Sequence, residues 1–247
     1  MQVQALFFDL SGVIYSGVQP IPGVVERVNA LRARGFAVRF LTNTASQSRD
    51  YLLALLAGMG VEVAHDELFT APGAAAQWVR SRGHRPYLLL SPNVAHEFDG
   101  IPRDDPDCVV LGDAGDDLSY ANLNRAFELV LAGATLVGIG YNRYYHDGEG
   151  IKLDAGAFVH ALEWAAGRQA VIMGKPSAAF FAEVVRSTGL QPAQCLMVGD
   201  DVFGDIEGAL QAGLQACLVR TGKYRPGDEG RIEGDFRVLA SAAGLEP

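Results

Sequence analysis

Four polar signatures stand directly behind apolar runs in this chain. Asp9 follows residues 3–8, Thr42-Asn43 follows 37–41, Lys175 follows 170–173, and Asp200-Asp201 follows 194–198. A buried strand that ends on a polar turn delivers that turn to the carboxyl edge of a sheet, where open α/β sheets bind ligands. In one parallel sheet these ends share an edge, so residues far apart in sequence converge on one crevice. The set holds carboxylates, a hydroxyl, an amide and a lysine. Clustered carboxylates repel one another unless a hard cation joins them, which points to Mg²⁺ held by oxygen ligands. A lysine beside such a cation suits a phosphate group, whose charge both offset. A carboxylate so placed also serves as a nucleophile toward phosphorus, forming an acyl phosphate that water later hydrolyses.

The elements that would carry these groups alternate along the chain. Strands are expected over 3–8 and 37–41, with helices over 24–34 and 46–58. Strand-helix-strand order implies a parallel sheet with right-handed crossovers. From Pro72 the rhythm restarts: helix 73–82, strand 86–90, short helix 94–98, strand 108–111, helix 120–131, strand 135–139 and helix 153–166. The first rhythm returns with a strand at 170–173, a helix at 178–187, a strand at 194–198, a helix from about Asp205 to Ala212 and a strand at 216–220. The expected fold is α/β: a Rossmann-like core formed by 1–71 and 171–247, with an inserted α/β cap at 72–170.

Composition narrows the function. The 247 residues are 49% hydrophobic and 20% charged, enough to bury a sizeable core. A net charge of -9 argues against a nucleic-acid binder, which leans on Lys and Arg clusters. No apolar run approaches the ~20 residues that cross a bilayer. The N-terminus enters the first strand with no basic stretch, so no signal peptide and a cytoplasmic location are expected. Cys108, Cys195 and Cys217 have no metal-like spacing and read as reduced core thiols.

The segments D-L-S-G-V (9–13), L-T-N (41–43), G-K-P-S (174–177) and V-G-D-D-V-F-G-D (198–205) together resemble the four motifs of the haloacid dehalogenase-like phosphatases. The insertion between the second and third resembles the capped subgroup acting on sugar and nucleotide phosphates. Further pieces, R-P-Y-L-L-L (85–90), D-C-V-V-L-G-D-A-G (107–115), S-Y-A-N-L-N-R-A-F (119–127) and T-G-K-Y-R-P-G-D-E (221–229), resemble a branch acting on phosphoramidate and pyrophosphate bonds. The resemblance implies a Mg²⁺-dependent hydrolase with a small phosphorylated substrate and a homodimer through the cap. It assigns Asp9 as nucleophile, and Asp9, the Ser11 carbonyl and Asp200 as metal ligands. Thr42 and Asn43 bind phosphoryl oxygens, and Lys175 neutralises charge between phosphate and Asp9. Asp205 orients metal-bound water, while Asp201 is a further metal ligand or acceptor. Arg143, Tyr144, Tyr145 and His146 are cap candidates for substrate choice. Structural duties stand beside these roles: Thr42-Asn43 or Asp205 as helix caps, Lys175 as a solvated helix-start residue, and 143–146 as an exposed turn.

One residue departs from the pattern. Most phosphatases of this superfamily carry a second Asp two positions after the nucleophile, as acid for the leaving group. Here it is Ser11, which keeps a backbone carbonyl but offers no strong acid. General acid-base help is worth about 10²–10⁴ in rate, so the substitution favours P–N and P–O–P bonds, whose leaving groups need less protonation. Two rival classes fit the same residues: a phosphatase of small phosphate esters, and a binding protein on the same fold.

Overall fold

The computed structural model describes residues 2–146 and 150–247, with only the backbone of Tyr145 and His146. The chain divides into two compact units, one of 1–42, 50–69 and 175–247, the other of 43–49 and 70–174.

The first unit is built on a six-stranded sheet. Its order is Arg237–Leu239, Gln215–Val219, Cys195–Gly199, Ala5–Asp9, Ala37–Thr42 and Leu68–Thr70. The strands from Arg237–Leu239 through Ala37–Thr42 pair in parallel, with Leu6 beside Leu196 and Val38. Ala5–Asp9 and Cys195–Gly199 are buried along their whole length, as expected of central strands covered on both faces. Leu6, Phe8, Leu196 and Val198 share one cluster with Val24, Val28 and Leu31 of one helix and Leu52 and Leu56 of another. Asp9 thus ends a strand with no freedom to slip, because a one-residue shift would turn Phe8 out of that cluster.

The second unit has a four-stranded parallel sheet in the order Val171–Met173, Thr135–Ile139, Cys108–Leu111 and Pro86–Leu89. Cys108 and Val110 pack on the side of helix Ala71–Arg82, whereas Val109 and Leu111 pack with residues of Tyr120–Leu131 and Ala155–Ala166. Alternate residues of one apolar run therefore serve two separate cores, the period-2 arrangement of a strand.

Several elements differ from the sequence expectation. The strand before Lys175 pairs with Thr135–Ile139, so it belongs to the sheet of the second unit and not to the core sheet. Lys175 itself belongs to the first unit, where the chain returns after that strand. Leu68–Thr70 and Arg237–Leu239 add two short strands to the core. Residues 144–146 and 151–153 pair as an antiparallel hairpin, and the helix expected from 153 starts at Ala155 with Asp154 as its cap. The helix expected from 73 starts at Ala71, capped by the Thr70 hydroxyl; Pro72 fits in its first turn, where a missing N–H costs nothing. That expected from 46 starts at Arg49. The last one is a π-turn over Val202–Glu207 followed by Gly208–Gln211.

Candidate active site

Asp9, Lys175, Asp200 and Asp205 are all buried and all meet in the first unit. The Lys175 ammonium donates to Asp9 Oδ1 and pairs with Asp205 Oδ1 at 2.6 Å. Burial alone would lower the pKa of Lys175, but Asp205 and Asp9 outweigh it and hold it above the usual lysine value. The lysine is therefore a permanent cation locked between two carboxylates, which rules out the solvated helix-start alternative.

Asp205 is committed on both oxygens. Oδ1 faces Lys175, while Oδ2 accepts the backbone N–H groups of Asp200 and Asp201, each at 3.1 Å. Burial, opposed by Lys175 and reinforced by Asp9 and Asp201, pushes its carboxyl up to about 6. Asp205 does not cap the helix. Asp201 does, its Oδ1 accepting from Phe203 and Gly204 N–H at 3.0 Å. Burial opposes its charge, but the Lys223 ammonium and these amides together hold Asp201 below the usual carboxylate range. Gly199 makes room for this packing, since a Cβ there would lie 2.2 Å from Asp205 Cβ.

Asp200 is held differently. Its Oδ2 accepts the Lys223 N–H at 2.7 Å, and a closing turn surrounds it. Gly12 and Gly222 both have left-handed φ, of 88° and 58°. A Cβ on Gly12 would sit 2.1 Å from Asp200 Oδ2, and one on Gly222 only 1.9 Å. The Thr221 hydroxyl donates to the Gly12 carbonyl at 2.5 Å, tying the two glycine turns together. Burial first, then Asp9 and Asp205, raise the Asp200 carboxyl well above its ordinary value despite Lys223. Such a group gains most from a cation.

Oxygens of Asp9, Asp200 and Asp205 lie within 4.8 Å of one another. This all-carboxylate donor set fits a hard divalent cation such as Mg²⁺. Asp205 already has both oxygens engaged, which makes it a brace and leaves Asp9 and Asp200 as the carboxylates able to ligate. Of the other expected site residues, Thr42 is buried at the end of its strand and Ser11 is exposed just beyond Asp9. Asn43 belongs to the second unit, where its Oδ1 lies 2.5 Å from where a Cβ on Gly174 would stand. Arg143 and Tyr144 are exposed, and the side chains of Tyr145 and His146 lie outside the described residues. The sequence reading missed Thr221-Gly222-Lys223, although the strand Gln215–Val219 ends close before it in the same apolar-to-polar manner.

The comparisons with known proteins agree with this geometry. A sequence profile of haloacid dehalogenase-like hydrolases matches residues 6–101, and a HAD-hydrolase-like profile matches 172–245. The chain belongs to the haloacid dehalogenase-like hydrolases and is a hydrolase of the phosphatase type. It is 40% identical over 253 residues to phospholysine phosphohistidine inorganic pyrophosphate phosphatase of Rattus norvegicus, covering 98% of this chain and 94% of that protein. Its fold is similar to the p-nitrophenyl phosphatase of Archaeoglobus fulgidus, with a TM-score of 0.90, 25% identity and 98% of each chain covered. It is similar also to a glycerol phosphate phosphatase of Mycobacterium tuberculosis in complex with magnesium, with a TM-score of 0.84, 28% identity, and coverage of 97% and 76%. Among the described residues no helix is long and apolar enough to cross a membrane.

Proposed function

We propose that this protein is a Mg²⁺-dependent phosphatase that works through an aspartyl phosphate on Asp9 and acts on phosphoramidate or pyrophosphate bonds. The observation that carries the reading is the buried Asp9–Lys175–Asp205 arrangement with Asp200 alongside. Asp9 attacks phosphorus, and the P–N or P–O bond opposite breaks with its electron pair leaving on the nitrogen or the phosphate. Water then attacks the same phosphorus, the Asp9–phosphate bond breaks, and the carboxylate returns with inorganic phosphate released. Lys175 keeps one Asp9 oxygen directed and offsets charge on the phosphoryl oxygens; Thr42, with Asn43 next in the chain, donates hydrogen bonds to them. Asp9, Asp200 and the Ser11 carbonyl hold Mg²⁺, which when bound supplies charge neutralisation at the phosphoryl group. Asp205 braces the Asp200-Asp201 backbone.

The substrate class rests on Ser11. Its hydroxyl is too weak an acid to assist departure of an alkoxide near neutral pH, whereas the protonated nitrogen of a phosphoramidate or the phosphate expelled from pyrophosphate leaves without that help. The likeness to the rat phosphatase supports the same class. The second unit acts as the cap, with Arg143 and Tyr144 on its exposed hairpin region as candidates for substrate choice.

A second reading, hydrolysis of small phosphate esters, is favoured by the likeness to the nitrophenyl and glycerol phosphate phosphatases. A panel of phosphohistidine, phospholysine, pyrophosphate and ester substrates with Mg²⁺, run beside Asp9→Asn, separates the readings. Phosphoramidate or pyrophosphate turnover well above ester turnover is expected; ester preference supports the second reading. A panel silent on every substrate leaves only a binding protein.

A further inference from the structure

The carboxylates Asp9, Asp200 and Asp205 stand close together with Asp201 next in the chain, and Lys175 pairs with Asp9 and Asp205. A second cation is present. The Lys223 ammonium lies 3.6 Å from Asp201 Oδ2, and its side chain remains 56% exposed. Its backbone is fixed by a separate contact, the N–H donated to Asp200 Oδ2. The turn that carries it is pinned at both ends. Thr221 bonds the Gly12 carbonyl, and further on Asp228 accepts the Arg225 N–H at 2.8 Å and pairs with Arg231 at 3.1 Å. Tyr224 donates to Glu229 at 2.8 Å, and Arg220 pairs with the same carboxylate at 2.9 Å. Lys223 is therefore presented by a built loop and not by a loose surface segment.

We propose that Lys223 is a second cation of this site, one that sets the balance between metal and phosphoryl anion. The proposal rests on the phosphatase reading and deepens it. Lys175 is enclosed between two carboxylates, which share its charge with any bound phosphoryl group. Lys223 is open to solvent on one side and faces Asp201, next to Asp200, on the other. Its positive charge repels an incoming divalent ion and attracts an incoming phosphoryl group. Removing the charge must move the two affinities in opposite directions. A residue with only a structural role would weaken both together.

The separation of main-chain and side-chain contacts makes a clean experiment. Lys223→Met keeps the amide bond to Asp200 and removes only the charge. On the full chain, Mg²⁺ binding is measured by calorimetry, and inorganic phosphate binding in saturating Mg²⁺ by thermal shift. Mg²⁺ is expected to bind about two- to fivefold more tightly and phosphate about two- to fivefold more weakly, the range of a partly exposed ion pair. Lys223→Arg is expected to return both constants to within about twofold of wild type. Both constants weakening together, or both unchanged, overturns the role given to Lys223 while wild-type binding leaves the phosphatase reading intact. A wild-type protein that binds neither Mg²⁺ nor phosphate overturns that reading, and the role of Lys223 with it.

Discussion

The two parallel sheets of this chain are built from similar apolar strands and end in different company. Among the described residues, the buried polar or charged side chains Asp9, Thr42, Lys175, Asp200, Asp205 and Asp228 belong to the first unit. Only Thr70 belongs to the second, and its hydroxyl is occupied in capping the helix Ala71–Arg82. After Cys108–Leu111 the second sheet also offers a glycine and a carboxylate, Gly112-Asp113, but Asp113 merely accepts the Gly115 N–H of its own turn. After Thr135–Ile139, Tyr141 is exposed and bonds Glu163 on the adjacent helix. A parallel sheet thus provides an edge, and chemistry arises only where charges are buried there against one another. Burying them is costly unless each is paired, which is what Lys175 and the backbone amides accomplish.

The comparison is broken most directly at Asp9. Asp9→Asn keeps shape and hydrogen-bonding capacity, and turnover on the best substrate should fall by more than about 10³-fold. Asp113→Asn, at the matching place in the second sheet, should leave turnover within about twofold; a comparable loss in both would dissolve the distinction. Lys175→Met leaves Asp9 and Asp205 buried without their cation, so unfolding free energy measured by urea titration should drop by about 3–5 kcal/mol. Turnover should fall about 10²–10³-fold in the same variant. Ser11→Asp restores the acid that esters need, and ester turnover should rise at least about tenfold more than phosphoramidate turnover. An equal rise in both would remove Ser11 as the source of substrate preference.

A pH dependence sharpens the contrast further. Asp200 and Asp205 have raised folded-state values, Asp205 up to about 6, so their ionisation works against the folded state. In metal-free protein their contribution to stability is largest below the unfolded carboxylate range near pH ~4 and declines as pH rises toward ~6. A cation favours the ionised form, so the rise in Tm caused by excess Mg²⁺ should be larger above pH ~6 than near pH ~4.5. A Mg²⁺ effect independent of pH would place the ion elsewhere. A small effect is expected at the hairpin region of the second unit, where Tyr144→Ala should change KM a few-fold and spare kcat.

The core was legible where burial leaves a one-dimensional trace. Residues 3–8 and 194–198 read as strands because both of their faces are covered, and their polar ends marked Asp9 and Asp200. Periodicity does not say which sheet a strand joins, so Val171–Met173 was assigned to the wrong one. The pair 144–146 and 151–153 escaped notice because exposed strands carry no apolar alternation; Ile151, Lys152 and Leu153 are all exposed. Asp205 reads in sequence as a candidate helix cap, but the π-turn begins at Val202 and presents its free amides to Asp201. Thr221 to Lys223 stands in the sequence reading only as part of a resemblance: the apolar run before it points there, but a glycine pressed against a distant glycine leaves no pattern in either neighbourhood.

The bond from Thr221 to the Gly12 carbonyl spans 209 positions, and that from Lys175 to Asp9 spans 166. The strands of the second sheet, all within 86–173, lie between Asp9 and these partners and are synthesised before residues 175–223. Domains generally fold as their residues appear, so the second sheet can form while the core still lacks three of its strands. A product released before residue 223 would carry Asp9 yet lack the turn that encloses Asp200. The contacts that surround Asp9 and Asp200 therefore join residues synthesised at widely separated times.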